Sequence, residues 1–218
     1  MLPRLVVDAD PTARAAEHIA RRVRVGPAQV AFSGGRTPWR MVDQLARYDL
    51  PWENLTAWQV DERVAPDFDE ARNYTHLFAK LAVPAKFQPI PVDAKGDPTG
   101  TRAARRYAEL LALPPARGTL DLVHLGLGDD GHTASLFPGD AVLNLREGGA
   151  VAVGPYLGHY RVTLTLPAIA RAQEIVFLVT GSSKREPLRK LLAGEVSIPA
   201  GRIRHPRCVV YADREAAP

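Results

Sequence analysis

The chain has 218 residues, of which 46% are hydrophobic and 24% charged, with one cysteine (Cys208) and a net charge of +4. This is the composition of an ordinary globular domain with a sizeable core, and a lone cysteine excludes an intramolecular disulfide. No run of about 18 apolar residues occurs, which excludes a membrane-spanning helix; the arginines (Arg14, Arg21, Arg22, Arg24, Arg102, Arg105, Arg106) are scattered and not interleaved with aromatics, which argues against a nucleic-acid binder.

The N-terminal MLPRLVVDAD meets acid at Asp8 before any long apolar core, so no secretory leader is expected and a cytoplasmic protein is. Strand-like Leu5–Val7 comes first. Asp10 before Pro11 then reads as an N-cap and first-turn proline, opening a helix over Pro11–Val23. A strand at Val30–Phe32, extending back toward Ala28, precedes a helix over Pro38–Arg47. Further on, Thr56–Val60 predicts a strand, and Glu70–Leu81 and Thr101–Leu113 predict helices. The apolar run Leu120–Leu125 and the segment Arg161–Leu166 predict strands, and Ala168–Ala172 a short helix. Ile175–Val179 predicts a strand, Arg185–Leu192 a helix closed by Gly194, and Cys208–Tyr211 a last strand. The glycine-rich stretch Asn144–Gly158 reads as a surface loop, and the tail Arg214–Pro218 as frayed. Alternation of this kind predicts one domain spanning 1–218. Its α/β fold is a doubly wound, mainly parallel, Rossmann-like sheet with helices on both faces.

The chemistry concentrates where predicted strands end. In LDLVHLGLGDDGHTASLFPG (120–139) an apolar run stops at glycines, and Asp129, Asp130 and His132 then crowd a turn. Ligands bind at the carboxyl edge of such sheets, and His132 is suited to move a proton near neutral pH. His18, His76, His124, His159 and His205 stand in ordinary contexts. Asp130 and His132 have no second histidine or cysteine at ligand spacing, so no metal is expected.

The QVAFSGGRTP segment (29–38) is a strand, a small-residue turn and a helix start. Gly34 and Gly35 let backbone N–H groups approach an anion, and Ser33 and Thr37 add hydroxyls. The alternative is a plain tight turn with Thr37 as N-cap. Neither the Walker loop nor the dinucleotide G-x-G-x-x-G is present. Asp61-Glu62-Arg63 ends another apolar run. Asp61 can share the proton work and Arg63 can grip a phosphate, or the group is a structural ion pair. Lys184 after VTGSS is a point charge for an oxyanion or a solvated lysine. Arg161 is a further cation candidate, or a solvent-facing strand residue. Several strand ends suited to anions make a phosphorylated small molecule the simplest common ligand.

Taken in order, SGGRTP (33–38), DERVAP (61–66) with Asn73-Tyr74 downstream, GLGDDGHTASLFPG (126–139), RVTLTLPAI (161–169) and VTGSSK (179–184) resemble the 6-phosphogluconolactonase family. Its wider superfamily includes glucosamine-6-phosphate deaminase/isomerase and sugar-phosphate sensor domains. The resemblance implies hydrolysis of 6-phospho-D-glucono-1,5-lactone to 6-phosphogluconate in the oxidative pentose phosphate pathway. It implies no cofactor, and a monomer or small homo-oligomer. His132 would be the catalytic base, with Asp61 or Asp130 orienting it or the water. Ser33, Gly34, Gly35, Arg36, Thr37, Arg63, Arg161 and Lys184 would bind the phosphorylated substrate. The alternatives are a sugar-phosphate isomerase/deaminase or a non-catalytic sensor. The deaminase pattern has a glutamate where this chain has Phe137, and the sensor reading needs a DNA-binding module that no segment before residue 28 supplies. Arg36 stands where the family usually has serine, Arg72 likewise, and Asp129 where proline is common.

Overall fold

A computed structural model describes residues 1–81 and 83–218. In chain order the first half contains β1 (Arg4–Val7), α1 (Pro11–Arg24), β2 (Ala28–Phe32), α2 (Arg36–Leu45), β3 (Leu55–Gln59), β4 (Asp61–Arg63), α3 (Asn73–Lys80), β5 (Lys86–Gln88) and α4 (Thr101–Ala112). The second contains β6 (Leu122–Leu125), β7 (Ala150–Tyr156), β8 (His159–Leu164), α5 (Leu166–Ala170), β9 (Glu174–Val179), α6 (Arg185–Ala193) and β10 (Cys208–Ala212).

Seven strands pair in parallel in the order β1-β10-β9-β6-β2-β3-β5. The inner strands are buried along their whole length, which is why they read as continuous apolar runs. Their side chains still alternate between two cores. Val30, Phe32, Leu122, Val176 and Leu178 pack with Ile19 of α1, Met41 of α2 and Leu77 of α3. Val123, Leu125, Ile175 and Phe177 face the other way, toward Tyr107 of α4, Ile169 of α5 and Leu188 of α6. The predicted double winding is present. The predicted caps form as well: the Asp10 side chain accepts from Ala13 N, and Gly194 takes φ 65°.

From β2 the chain runs outward through β3 and β5, then returns to β6 on the other side of β2. The strand order therefore reverses between β2 and β6, and a crevice opens beyond their carboxyl ends.

Part of the fold departs from expectation. The chain leaves the parallel sheet at Val60, and Asp61–Arg63 joins a second sheet in the order β4-β8-β7, all antiparallel. Residues 144–158 are not simply a loop: they contain β7, joined to β8 by Leu157-Gly158. Both turn residues have positive φ (50° and 82°), the requirement of the tight hairpin turn that matches strand twist. Its glycines had diluted the period-2 signal of Val151 and Val153. The short edge strand β5 was not expected either. The tail is tied down rather than frayed: Ala216 is fully buried, and its N–H donates to Asp213 Oδ1 at 2.8 Å.

His124, at the end of β6, is fully buried, and neither ring nitrogen has a hydrogen-bond partner among the described residues. Burial pushes its pKa from 6.5 down to about 3, so the ring is neutral in the folded state. Below its ordinary pKa the unfolded chain takes up a proton that the folded chain refuses. This site therefore costs nothing above that value, and below it subtracts about 1.4 kcal/mol of stability per pH unit until the folded pKa is reached. His124→Leu should flatten this part of the profile, measured by urea unfolding from about pH 7 to about pH 4. Parallel profiles for the two proteins would refute the assignment.

Candidate active site

The crevice at the β2/β6 reversal is a cleft of about 810 Å³. Ser33, Gly34, Gly35, Arg36, Thr37, Asp61, Arg63, His132, Arg161 and Lys184 all line it, so nearly every residue singled out from the sequence meets there. Asp130 is joined to the cleft through its contact with the His132 ring.

β6 ends at Leu125, and residues 126–132 fold back on themselves. Gly128 N donates to His132 O (2.8 Å) and Gly131 N to Gly128 O (3.0 Å). The Asp130 carboxylate accepts from His132 N (3.0 Å) and meets the ring at Nδ1 (2.5 Å). A carboxylate only accepts, so Nδ1 carries the proton and Nε2 is left as the basic nitrogen. Contacts to His132 outweigh the effect of burial and hold the Asp130 pKa below its ordinary value. On the ring's flank lies Phe137, with centroids 4.5 Å apart, and Tyr156 stacks on Phe137 at 4.1 Å.

Asp61 does not touch the imidazole. It is buried, its Oδ2 accepts from Ser135 Oγ (2.5 Å), and its Oδ1 accepts from Asn73 Nδ2 (3.2 Å). Of the two acids left open as partners of His132, Asp130 makes the contact.

α2 begins at Arg36, directly after Gly35, and not at the Thr37 N-cap considered above. Its first-turn N–H groups have no intrahelical acceptors and sit on the cleft. A β-carbon on Gly34 would lie 1.9 Å from Asn73 Oδ1, so the loop and α3 touch only because Gly34 has no side chain. Ser33 Oγ donates inward to His124 O (3.0 Å), which spends its proton on the scaffold. Thr37 Oγ1 pairs with Thr180 Oγ1 (2.8 Å), linking the α2 start to the β9 end. Arg36 is exposed at the rim.

Lys184 immediately precedes α6, and its Nζ is 2.7 Å from Asp129 Oδ1, which also accepts from Ser183 Oγ (2.9 Å). Those two contacts hold the Asp129 pKa below the usual carboxylate range. Arg63 Nη1 donates to Ala71 O (3.1 Å) and Asn73 Oδ1 (2.5 Å). Arg161 is buried rather than solvent-facing, at the wall formed by the small sheet.

Two residues that shape the cleft were missed as such. Asn73 bridges Asp61, Arg63 and Gly34. Glu62 is a fully buried carboxylate that accepts from Gln59 Nε2 (2.8 Å), Arg63 N (2.8 Å), Asn73 N (2.7 Å) and Tyr74 N (2.8 Å). Arg72 Nε lies 3.2 Å from it. Glu62 thus caps α3 from a strand eleven residues upstream, a relation that local pattern does not reveal.

Residues 7–211 match the family described as glucosamine-6-phosphate isomerases/6-phosphogluconolactonase. The chain belongs to that family. It is 38% identical over 194 residues to a 6-phosphogluconolactonase of Synechocystis sp., covering 84% of this chain and 78% of that one. It is 31% identical to a 6-phosphogluconolactonase of Haemophilus influenzae, covering 87% and 86%. Among solved structures, 6-phosphogluconolactonase from Trypanosoma cruzi superposes with a TM-score of 0.87 at 25% identity, covering 98% of this chain and 95% of that one. A monomeric glucosamine-6-phosphate deaminase superposes with a TM-score of 0.82 at 22% identity, over 99% and 98% of the two chains. The fold alone therefore does not separate lactonase from deaminase within this family, and side chains must. Phe137, which has no proton to exchange, packs against the His132 ring.

Proposed function

We propose that this chain hydrolyses 6-phospho-D-glucono-1,5-lactone to 6-phosphogluconate, the lactone step of the oxidative pentose phosphate pathway, by water attack assisted by His132. The observation that carries the reading is the Asp130–His132 pair: Nδ1 is tied to Asp130 (2.5 Å), so Nε2 is the ring's basic nitrogen, in a cleft otherwise rich in cations.

The substrate phosphate sits at the start of α2. The N–H groups after Gly34 and Gly35, the Thr37 hydroxyl and Lys184 hold it, and Arg36 adds charge at the rim. Anchoring the remote phosphate positions C1 of the lactone beside His132. Neutral His132 takes a proton from water as its oxygen bonds to C1. The resulting imidazolium returns that proton to the ring oxygen as the C1–O bond breaks. Asp130 keeps the imidazole in the required tautomer and stabilises its protonated form. A lactone is already activated, so no covalent enzyme intermediate is needed, and the scheme draws on no metal or organic cofactor. Phe137 disfavours the deaminase alternative. A cytoplasmic location, a single domain over 1–218 and a monomer or small homo-oligomer complete the proposal.

The test is lactone turnover against the spontaneous background, with 6-phosphogluconolactone generated in situ. Acceleration supports the reading; binding without acceleration would favour a sensor. For the phosphate assignment, Lys184→Ala should raise KM about tenfold or more and leave kcat nearly unchanged, because its interaction is the same in ground and transition states. Inhibition by inorganic phosphate should weaken in parallel. A loss confined to kcat would contradict it.

A further inference from the structure

We propose that Asp213, in the segment that follows β10, is a positioning residue for phosphate binding. Its carboxylate holds Gly181, and through Gly181 the turn that carries Lys184. The proposal deepens the phosphate assignment made above and rests on it.

β9 ends at Val179, and the chain must then turn from the sheet into α6, which starts at Arg185. Gly181 is the pivot of that turn, with φ 94°, a conformation suited to glycine. It lies between two contacts that matter for the phosphate. Thr180 before it pairs with Thr37 at the α2 start (2.8 Å). Lys184 after it donates its backbone N–H to Gly181 O (3.0 Å). The Gly181 N–H is taken by Asp213, at 2.9 Å from Oδ2 and 3.1 Å from Oδ1. An ionised acceptor makes this a charge-assisted hydrogen bond, stronger than one between neutral groups. A glycine restricts its own peptide little, so the partner of the N–H decides how the Thr180–Gly181 peptide is turned. Thr180, Gly181 and Lys184 line the cleft, whereas Asp213 does not.

Asp213 is itself fixed from several directions. Its N–H donates to Val179 O (3.3 Å), which carries the β9–β10 pairing one residue past Ala212. Its Oδ1 also accepts from Ala216 N (2.8 Å), and Ala217 N donates to Asp213 O (3.1 Å), so the segment closes on itself. Ala216 is fully buried in the core that it shares with Leu188 of α6. Arg185 Nη2 donates to Glu215 O (3.1 Å), tying the segment to the start of α6. The carboxylate is therefore held rigidly against a turn 32 residues earlier in the chain. Without it, the Thr180–Gly181 peptide is free to turn over, and Lys184 N loses a fixed acceptor. Phosphate binding must then order the turn, which lowers affinity. The reacting end is held separately, by the Asp130–His132 contact.

The experiment measures KM, kcat and the inhibition constant of inorganic phosphate. The proteins are wild type, Asp213→Ala, Asp213→Asn, Lys184→Ala and the Asp213→Ala/Lys184→Ala double variant, with thermal unfolding to verify folding. Asp213→Ala should raise KM and the phosphate inhibition constant about tenfold, the scale of one charge-assisted hydrogen bond, and change kcat less. In the Lys184→Ala background the same substitution should cost less than about threefold, because the lysine it positions is gone. Full additivity in the double variant, or a loss confined to kcat, would make the role merely structural and overturn the proposal. Asp213→Asn keeps one carbonyl for Gly181 or Ala216 and should fall between wild type and alanine. If Asp213→Ala does not fold, the asparagine variant decides: weakened phosphate inhibition supports the assignment, and unchanged inhibition overturns it. If Lys184→Ala weakens phosphate inhibition and Asp213→Ala does not, only the Asp213 assignment falls. If Lys184→Ala leaves phosphate inhibition unchanged, the phosphate reading itself fails and takes this assignment with it.

Discussion

His132→Ala should lower kcat by about 10²- to 10⁴-fold while KM changes far less, because proton transfer is an interaction of the transition state. The variant removes the basic Nε2 and leaves the phosphate pole intact, so inhibition by inorganic phosphate should persist. Asp130→Asn should reproduce part of the loss. An amide at that position can donate to Nδ1, favouring the tautomer whose proton sits on Nε2, where the base is required. The measurement is steady-state turnover of the in situ lactone with all three proteins side by side. Unchanged kcat in His132→Ala would remove histidine from the chemistry and leave Asp61 as the available base. Asp61 is poorly placed for that task, since its two carboxylate oxygens already accept from Ser135 and Asn73.

The second large effect is on stability. Glu62→Ala should destabilise the protein by about 3–5 kcal/mol, the usual result of removing one partner of a buried ion pair. Glu62 is fully buried, and its two oxygens accept three backbone N–H groups and one amide while pairing with Arg72, itself 4% exposed. Truncation leaves those donors without an acceptor and removes the carboxylate beside Nε of the buried Arg72, whose Nη1 keeps only Ala65 O and Asp67. The start of α3 should then shift and take Asn73 with it, loosening Arg63 and the Gly34 contact. Glu62→Gln keeps one carbonyl acceptor and should lose less. Urea unfolding of the three proteins provides the comparison, and a loss below about 1 kcal/mol for alanine would show that the network is relaxed by water.

The sites at the strand ends were legible because each is local. An apolar run followed by small residues is enough to mark a strand that stops and a turn that follows, as at Phe32-Ser33-Gly34 and at Leu125–Gly128. The Asp130–His132 contact is equally local, spanning two residues of one turn. Hidden from this reading were relations between distant segments. Residues 150–156 looked like loop because glycines interrupt their alternation, and only pairing with β8 makes them a strand. Asp61–Arg63 read as the end of the preceding apolar run, whereas it starts a different sheet.

By itself, the amino-acid sequence determined the parallel α/β architecture, the anion-suited loop at 33–37 and the histidine turn at 126–132. Apolar periodicity, helix caps and glycine turns act over a few residues, and those are written in order along the chain. Tertiary structure alone decided that Asp130 meets the His132 ring while Asp61 is engaged by Ser135 and Asn73, that Glu62 caps a helix, and that Arg161 is buried opposite Arg63. The reason is physical. Which acid is free, and whether a cation is solvated or buried, depends on register and burial between strands separated by about a hundred residues, which no local pattern encodes.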